Sequence, residues 1–192
     1  MTCRSITTAL AALLLLAGCQ RGAKTEKFSP RAFPQPSVPS LYSQGQERIA
    51  YLLSHYWDPF LSTATLYPTD STMINGVADY DVEGALSNYL LLLRSVPDGD
   101  AQASVAGLFT RLESYQRAAD AQWEDAAGTD LTAFRRMASL VEKYLYDVNS
   151  PVRNEDAYGA FASVLSGKEF LPEVQRGIFG REARLCALGA RI

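Results

Sequence analysis

The stretch Asp79–Ser95 reads DYDVEGALSNYLLLLRS. Within it Val82, Ala85, Leu86, Tyr89, Leu90 and Leu93 recur at spacings of three and four, which puts them on one face of a helix. Leu91 and Leu92 widen that face, so this helix is expected at the centre of a bundle. The same spacing returns on either side of it. Upstream, Ser43 and Gln46 have the Ser-x-x-Gln pattern of a capping box ahead of Ile49, Leu52, Leu53, Tyr56 and Trp57. Asp58-Pro59 ends that helix, because proline disfavours helix in the residue before it. Phe60 to Ala78 holds the turn signals Tyr67-Pro68 and Asn75-Gly76 and is expected as a long ordered loop.

Downstream, Asp100 is the expected N-cap of a third helix that carries Val105, Leu108, Phe109, Leu112 and Tyr115 inward. Gly128-Thr129-Asp130 opens a fourth, with Leu131, Phe134, Ala138, Val141 and Leu145 in register and Met137, Leu140 and Tyr144 as a second stripe. Asn154 caps a fifth, whose first turn holds Glu155 and Asp156, where negative charge suits the helix dipole. Tyr158, Phe161, Ala162 and Leu165 face inward there, and Gly167 is its expected stop. A sixth helix is expected from Pro172 to Leu188. No segment alternates as a strand does, and no internal repeat is found. The expected architecture is all-α: an irregular bundle of five to six helices over residues 41–192.

The N-terminus carries an address. Met1 to Ile6 holds one basic residue, Arg4, and Thr7 to Leu16 is almost wholly apolar. Small residues Ala17 and Gly18 then precede Cys19, the pattern of a cleaved secretory signal, and the apolar run is too short to span a bilayer. Leu16-Ala17-Gly18-Cys19 resembles the lipobox of bacterial lipoproteins, which implies cleavage after residue 18, acylation of Cys19 and anchoring to the bilayer through those chains. Gln20 rather than Asp follows, and there is no acidic cluster behind it, so the expected location is an outer-membrane lipoprotein facing the periplasm. Residues 19–40, with Pro30, Pro34, Pro36 and Pro39, are expected to form an extended tether.

Losing residues 1–18 removes Arg4 and no acid, which moves the formal charge from −3 to −4. That mild acidity argues against nucleic acid as a partner. Of three cysteines, Cys3 leaves with the signal and Cys19 takes lipid, so Cys186 alone stays as a free thiol, either buried and inert or open to an intermolecular disulfide. Without a Cys-x-x-Cys, the chain alone is not a dithiol oxidoreductase. His55 is the one histidine, which removes paired-histidine metal sites, and it reads as structural. Asp79, Asp81 and Glu83 read as helix-start carboxylates, and Asp147-Val148-Asn149 fails as a calcium loop because Val152 and Tyr158 stand where glycine and glutamate are needed. No metal, no cofactor and no catalytic constellation is expected.

Two segments are richer in rings than a bundle needs: His55-Tyr56-Trp57-Asp58-Pro59-Phe60, and Tyr144 to Tyr158. Either they fill the corners of the bundle, or Tyr56, Trp57, Asp58, Phe60, Tyr146, Asn149, Arg153 and Tyr158 make a binding surface for a protein or peptide, with Arg153 receiving an anion. The combination Tyr56-Trp57-Asp58-x-Phe60 with Tyr144-Leu145-Tyr146-Asp147-x-Asn149-Ser150-Pro151-x-Arg153-Asn154 resembles a helical domain of unknown function from Bacteroidota lipoproteins. In that family the domain commonly precedes a thioredoxin-like domain. The resemblance covers about Tyr42 to Leu188 and implies no catalytic residues. It implies a thioredoxin-like protein as a possible partner, and Arg184 to Gly189 resembles the helix end that leads into the redox domain. That redox domain is not among these residues, so the expectation is a stand-alone version or the front of a longer protein. Two functions are therefore expected: a non-enzymatic protein- or peptide-binding module, or an accessory domain of a thioredoxin-like thiol–disulfide exchange system.

Overall fold

The computed structural model describes residues 29–42, 45–122 and 132–189. The signal, the lipidation site at Cys19, the Ser43 half of the capping box and the Gly128-Thr129-Asp130 helix opening lie outside the described residues. The all-α architecture is as expected, with six helices among the described residues: α1 (Gly45–His55), α2 (Asp79–Leu93), α3 (Asp98–Gln122), α4 (Thr132–Tyr146), α5 (Glu155–Ser166) and α6 (Glu173–Ala187). A 3-10 turn, Ser40–Tyr42, precedes them.

The stripe that opens the sequence reading is the centre of the core. Val82, Ala85, Leu86, Tyr89, Leu90 and Leu93 are all buried, while Leu91, on the widened edge, is exposed. Helix α3 begins at Asp98, two residues before the expected cap, because the amides of Asp100 and Ala101 already donate to the Pro97 carbonyl. Its buried Gln116 closes a polar account across the bundle. The carboxamide accepts from the Phe134 amide at 3.2 Å, satisfying an orphan donor at the start of α4, and donates to Asp120 at 2.8 Å. Asn154 caps α5 as expected, its side chain accepting from the Ala157 amide at 2.9 Å, and α5 ends at Gly167. Helix α5 packs most extensively on α6 and next on α3. Gly159 permits the first contact: a Cβ there would lie 2.8 Å from Cys186 Cβ.

Two parts of the chain differ from expectation. The Phe60–Ala78 loop contains a two-stranded antiparallel hairpin, β1 (Met73–Ile74) and β2 (Val77–Ala78). Asn75 and Gly76 both take positive φ, 47° and 69°, as a two-residue type I′ turn requires. Strands of two residues are too short to show alternation, so only the Asn-Gly turn is visible in the sequence. Asn75 is 1% exposed. Its carboxamide accepts from the Tyr67 amide at 3.0 Å and donates to the Phe60 carbonyl, and its own amide donates to Thr69 Oγ1 at 2.9 Å. Arg136 on α4 holds the outside of the hairpin through the Asp70 and Met73 carbonyls and the Asp79 carboxylate.

The second difference lies in the stretch expected as tether. From Ser29 it runs as a strap over the hairpin. Arg31 bridges Val77 in parallel, donates its amide to Gly76 O at 2.8 Å and its Nε to Asn75 O at 3.1 Å, and sets its guanidinium 4.1 Å over the Tyr67 ring. Phe33 is buried and stacks on Phe60 at 5.2 Å. The strap supplies core that the hairpin and α1 cannot supply alone.

Candidate functional site

The first ring-rich segment is the end of α1 and the turn after it. Tyr56, Trp57 and Phe60 are buried together with Phe33 and Tyr89, so they do not form a surface, and that part of the binding expectation is corrected. The Tyr56 hydroxyl donates to Ala85 O at 2.9 Å, and burial raises its pKa. Trp57 Nε1 is buried without a partner among the described residues. Asp58 does reach the surface, where it joins two helices: its carboxylate meets His55 Nδ1 at 2.6 Å and Arg111 Nε of α3 at 2.7 Å. Arg111 also donates to Ser54 O at 2.8 Å. All three polar groups are engaged in closing the end of α1, which is the structural role read for His55.

The second segment is the corner between α4 and α5. Tyr158 is 1% exposed and stacks on Tyr146 at 4.9 Å, with its hydroxyl donating to Glu182 of α6 at 2.8 Å. Burial pushes its pKa far up, and Glu182 adds to that. Tyr158 too is a core residue rather than a surface one. Asn149 is exposed and folded onto Asp147, whose Oδ1 accepts from the Asn149 amide at 2.8 Å. Arg153 donates to Glu155 at 2.8 Å, so its charge is already answered within the corner. Arg94 at the end of α2 donates to Pro151 O at 3.0 Å. The two segments pack in different places, one on Phe33 and Tyr89, the other on α6, and they do not share a groove. The corner-packing alternative is the one that fits their geometry.

A surface with an opening lies instead between α4 and α6. Both helices pack on α5 rather than on each other. The gap is a groove of about 520 Å³. Arg135, Ala138, Ser139 and Glu142 line it from α4, and Gln175, Ile178, Phe179 and Glu182 from α6. Each set has the spacing i, i+3, i+4, i+7, so two helical stripes face each other. The floor comes from Phe134, Leu165 and Leu171. Burial first, and Glu182 second, hold the Glu142 carboxyl above the usual range. Helix α6 buries none of its residues fully, and Val174, Ile178 and, just beyond its end, Leu188 are exposed. This face coincides with neither α4 stripe apparent in the sequence; the facing i, i+3, i+4, i+7 sets on α4 and α6 carry its signal.

Cys186 lies half-buried on α6 against Gly159, and burial, with Glu155, Asp156 and Glu182 nearby, raises its pKa. It is therefore a thiol rather than a thiolate at neutral pH. No group of three metal-ligating side chains occurs among the described residues. No helix among them is long and apolar enough to cross a membrane.

A family model described as a domain of unknown function, DUF5106, matches residues 17–179. Comparison with curated proteins finds no match. The crystal structure of a thioredoxin-like protein from Bacteroides caccae is similar to this chain at 25% identity, with a TM-score of 0.62. The similarity covers 82% of this chain and 48% of that one, so the chain spans about half the length of that protein. The two ring-rich motifs implied a helical domain of unknown function, and the family match and the helical fold agree with that; the thioredoxin link is carried only as likeness to the Bacteroides caccae protein. With a family match over most of its length, carried on the helical bundle described above, the chain belongs to the DUF5106 family of domains of unknown function.

Proposed function

We propose that this chain is a membrane-held lipoprotein, anchored through acylated Cys19 and facing the periplasm, whose helical domain binds a protein or peptide on its α4–α6 side. One observation carries the binding reading. A 15-residue helix, α6, buries none of its residues fully and shows Val174 and Ile178 to solvent beside an apolar groove. Exposed apolar surface next to a groove marks interaction sites more often than bare surface does. The domain does no chemistry in this reading: His55, Asp58, Arg111 and Arg153 are all occupied in holding helix ends.

The likeness to half of a thioredoxin-like protein favours a second reading, an accessory domain of a thiol–disulfide exchange system. The raised pKa of Cys186 then gives the domain a supporting role rather than a share in the exchange. Both readings are tested by placing a photo-crosslinking residue at Val174 in source cells, with Tyr80 on α2 as the control, since both are 75% exposed. A protein adduct at Val174 and none at Tyr80 is expected. If that adduct is a thioredoxin-like protein, the accessory reading holds. No adduct at Val174, or equal adducts at both, rejects the binding reading. The anchor is tested separately by labelled palmitate: uptake that persists in Cys19→Ala rejects it.

A further inference from the structure

We propose that the α4–α6 groove takes a segment of a partner protein that presents an apolar side chain with a lysine or arginine about one helical turn beyond it. This rests on the binding reading above and gives that partner its chemistry.

The groove is polar at its ends and apolar between. Ile178 and Phe179 from α6 and Leu165 from α5 make an apolar middle. Glu142 and Glu182 stand together at one end, and Arg135 lines the wall about two turns away. The Tyr158 hydroxyl donates to one oxygen of Glu182, which leaves acceptor sites on that carboxylate and, among the described residues, on Glu142. Among the described residues neither glutamate forms an ion pair. Two like charges at a partly desolvated wall repel, so each favours a visiting cation over its present neighbour. Glu182 lies one turn from Ile178, a rise of about 6 Å, so one segment reaches both with an apolar and a basic side chain a turn apart.

The test uses the full chain and two fluorescein-labelled amphipathic peptides, one with Leu followed by Lys a turn later, the other with Glu in place of that Lys. Fluorescence anisotropy is expected to show binding of the Lys peptide and little binding of the Glu peptide. Glu142→Lys should weaken the Lys peptide about tenfold and strengthen the Glu peptide, the reciprocal change that a charge contact at Glu142 requires. Ile178→Asp should weaken both. Glu142 and Ile178 both reach solvent, so these variants should stay folded, Glu142→Lys at least as stable as wild type because it removes the repulsion with Glu182; thermal unfolding is measured alongside. Equal binding of the two peptides, or indifference to Glu142→Lys, overturns the proposal. So does a dimer of this chain in sedimentation that Ile178→Asp dissolves, since a second copy would then be the occupant. An adduct at Val174 in cells together with failure of both peptides would sink the groove chemistry alone and leave the binding reading standing.

Discussion

Replacing Asn75 by alanine removes a carboxamide that serves the Tyr67 amide and the Phe60 carbonyl inside the protein. It also leaves a side chain at φ 47°, where asparagine is tolerated and alanine is not. Asn75→Ala is expected to cost about 2–4 kcal/mol in urea unfolding. Asn75→Gly keeps the backbone and loses only the hydrogen bonds, so it should cost less, and the difference measures the conformational share. At the same scale Glu113 carries a pH dependence. Its hydrogen bond to Lys168 is the first cause holding its pKa below the ordinary glutamate value, with Arg117 contributing. A depressed carboxylate stabilises the fold above the unfolded-state pKa and loses that contribution as pH falls through the folded one. Wild type should therefore lose Tm relative to Glu113→Gln as pH drops below the usual glutamate range, and equal losses would remove this role. Glu142, raised by burial and Glu182, runs the other way: Glu142→Gln should gain a little stability at pH 7 and none in acid.

At the scale of elements, the contact between α5 and α6 depends on the missing side chain at Gly159. Gly159→Ala puts one Cβ against another at 2.8 Å and is expected to cost about 1–3 kcal/mol. Because the clash is with Cys186 Cβ, adding Cys186→Ala should give no relief, whereas Cys186→Gly should; thermal melts of the two double variants decide it. Much of this level was readable beforehand. The α2 stripe, the Asn154 cap and the Gly167 stop lie where periodicity and capping chemistry put them. What was not readable has a physical cause in each instance. The β1–β2 hairpin is too short for alternation. The α4–α6 groove is a relation between helices distant in sequence, invisible to a local pattern. The ring-rich corners left packing and binding both open because tyrosine and tryptophan serve surfaces and cores alike, and only burial separates the two uses.

At the scale of the whole molecule, the strap decides where the domain begins. Proline density read Ser29 to Ser40 as spacer, yet Phe33 lies in the core against Tyr56, Trp57 and Phe60. Phe33→Ala is expected to cost about 3 kcal/mol, more than a spacer residue could, as read by chemical denaturation. A chain begun at Leu41 should be less stable still, since it also loses Arg31 from the hairpin. An unchanged denaturation midpoint in either variant would return the strap to the tether.

The parallel bridge at Arg31 has a mechanical side. On the proposed anchoring at Cys19, about a dozen residues of sequence separate the lipid from the strap, a contour length of at most about 40 Å. That proposal sets the domain closer to its bilayer than a tether reaching to Ser40 would. Under that proposal, a pull between membrane and a bound partner would enter the described fold through Arg31 and Phe33, ahead of its six helices. Force would be carried first by the hydrogen bonds to Gly76 and Asn75 and the stacked Phe60, and the strap would act as the fuse that opens before the bundle does.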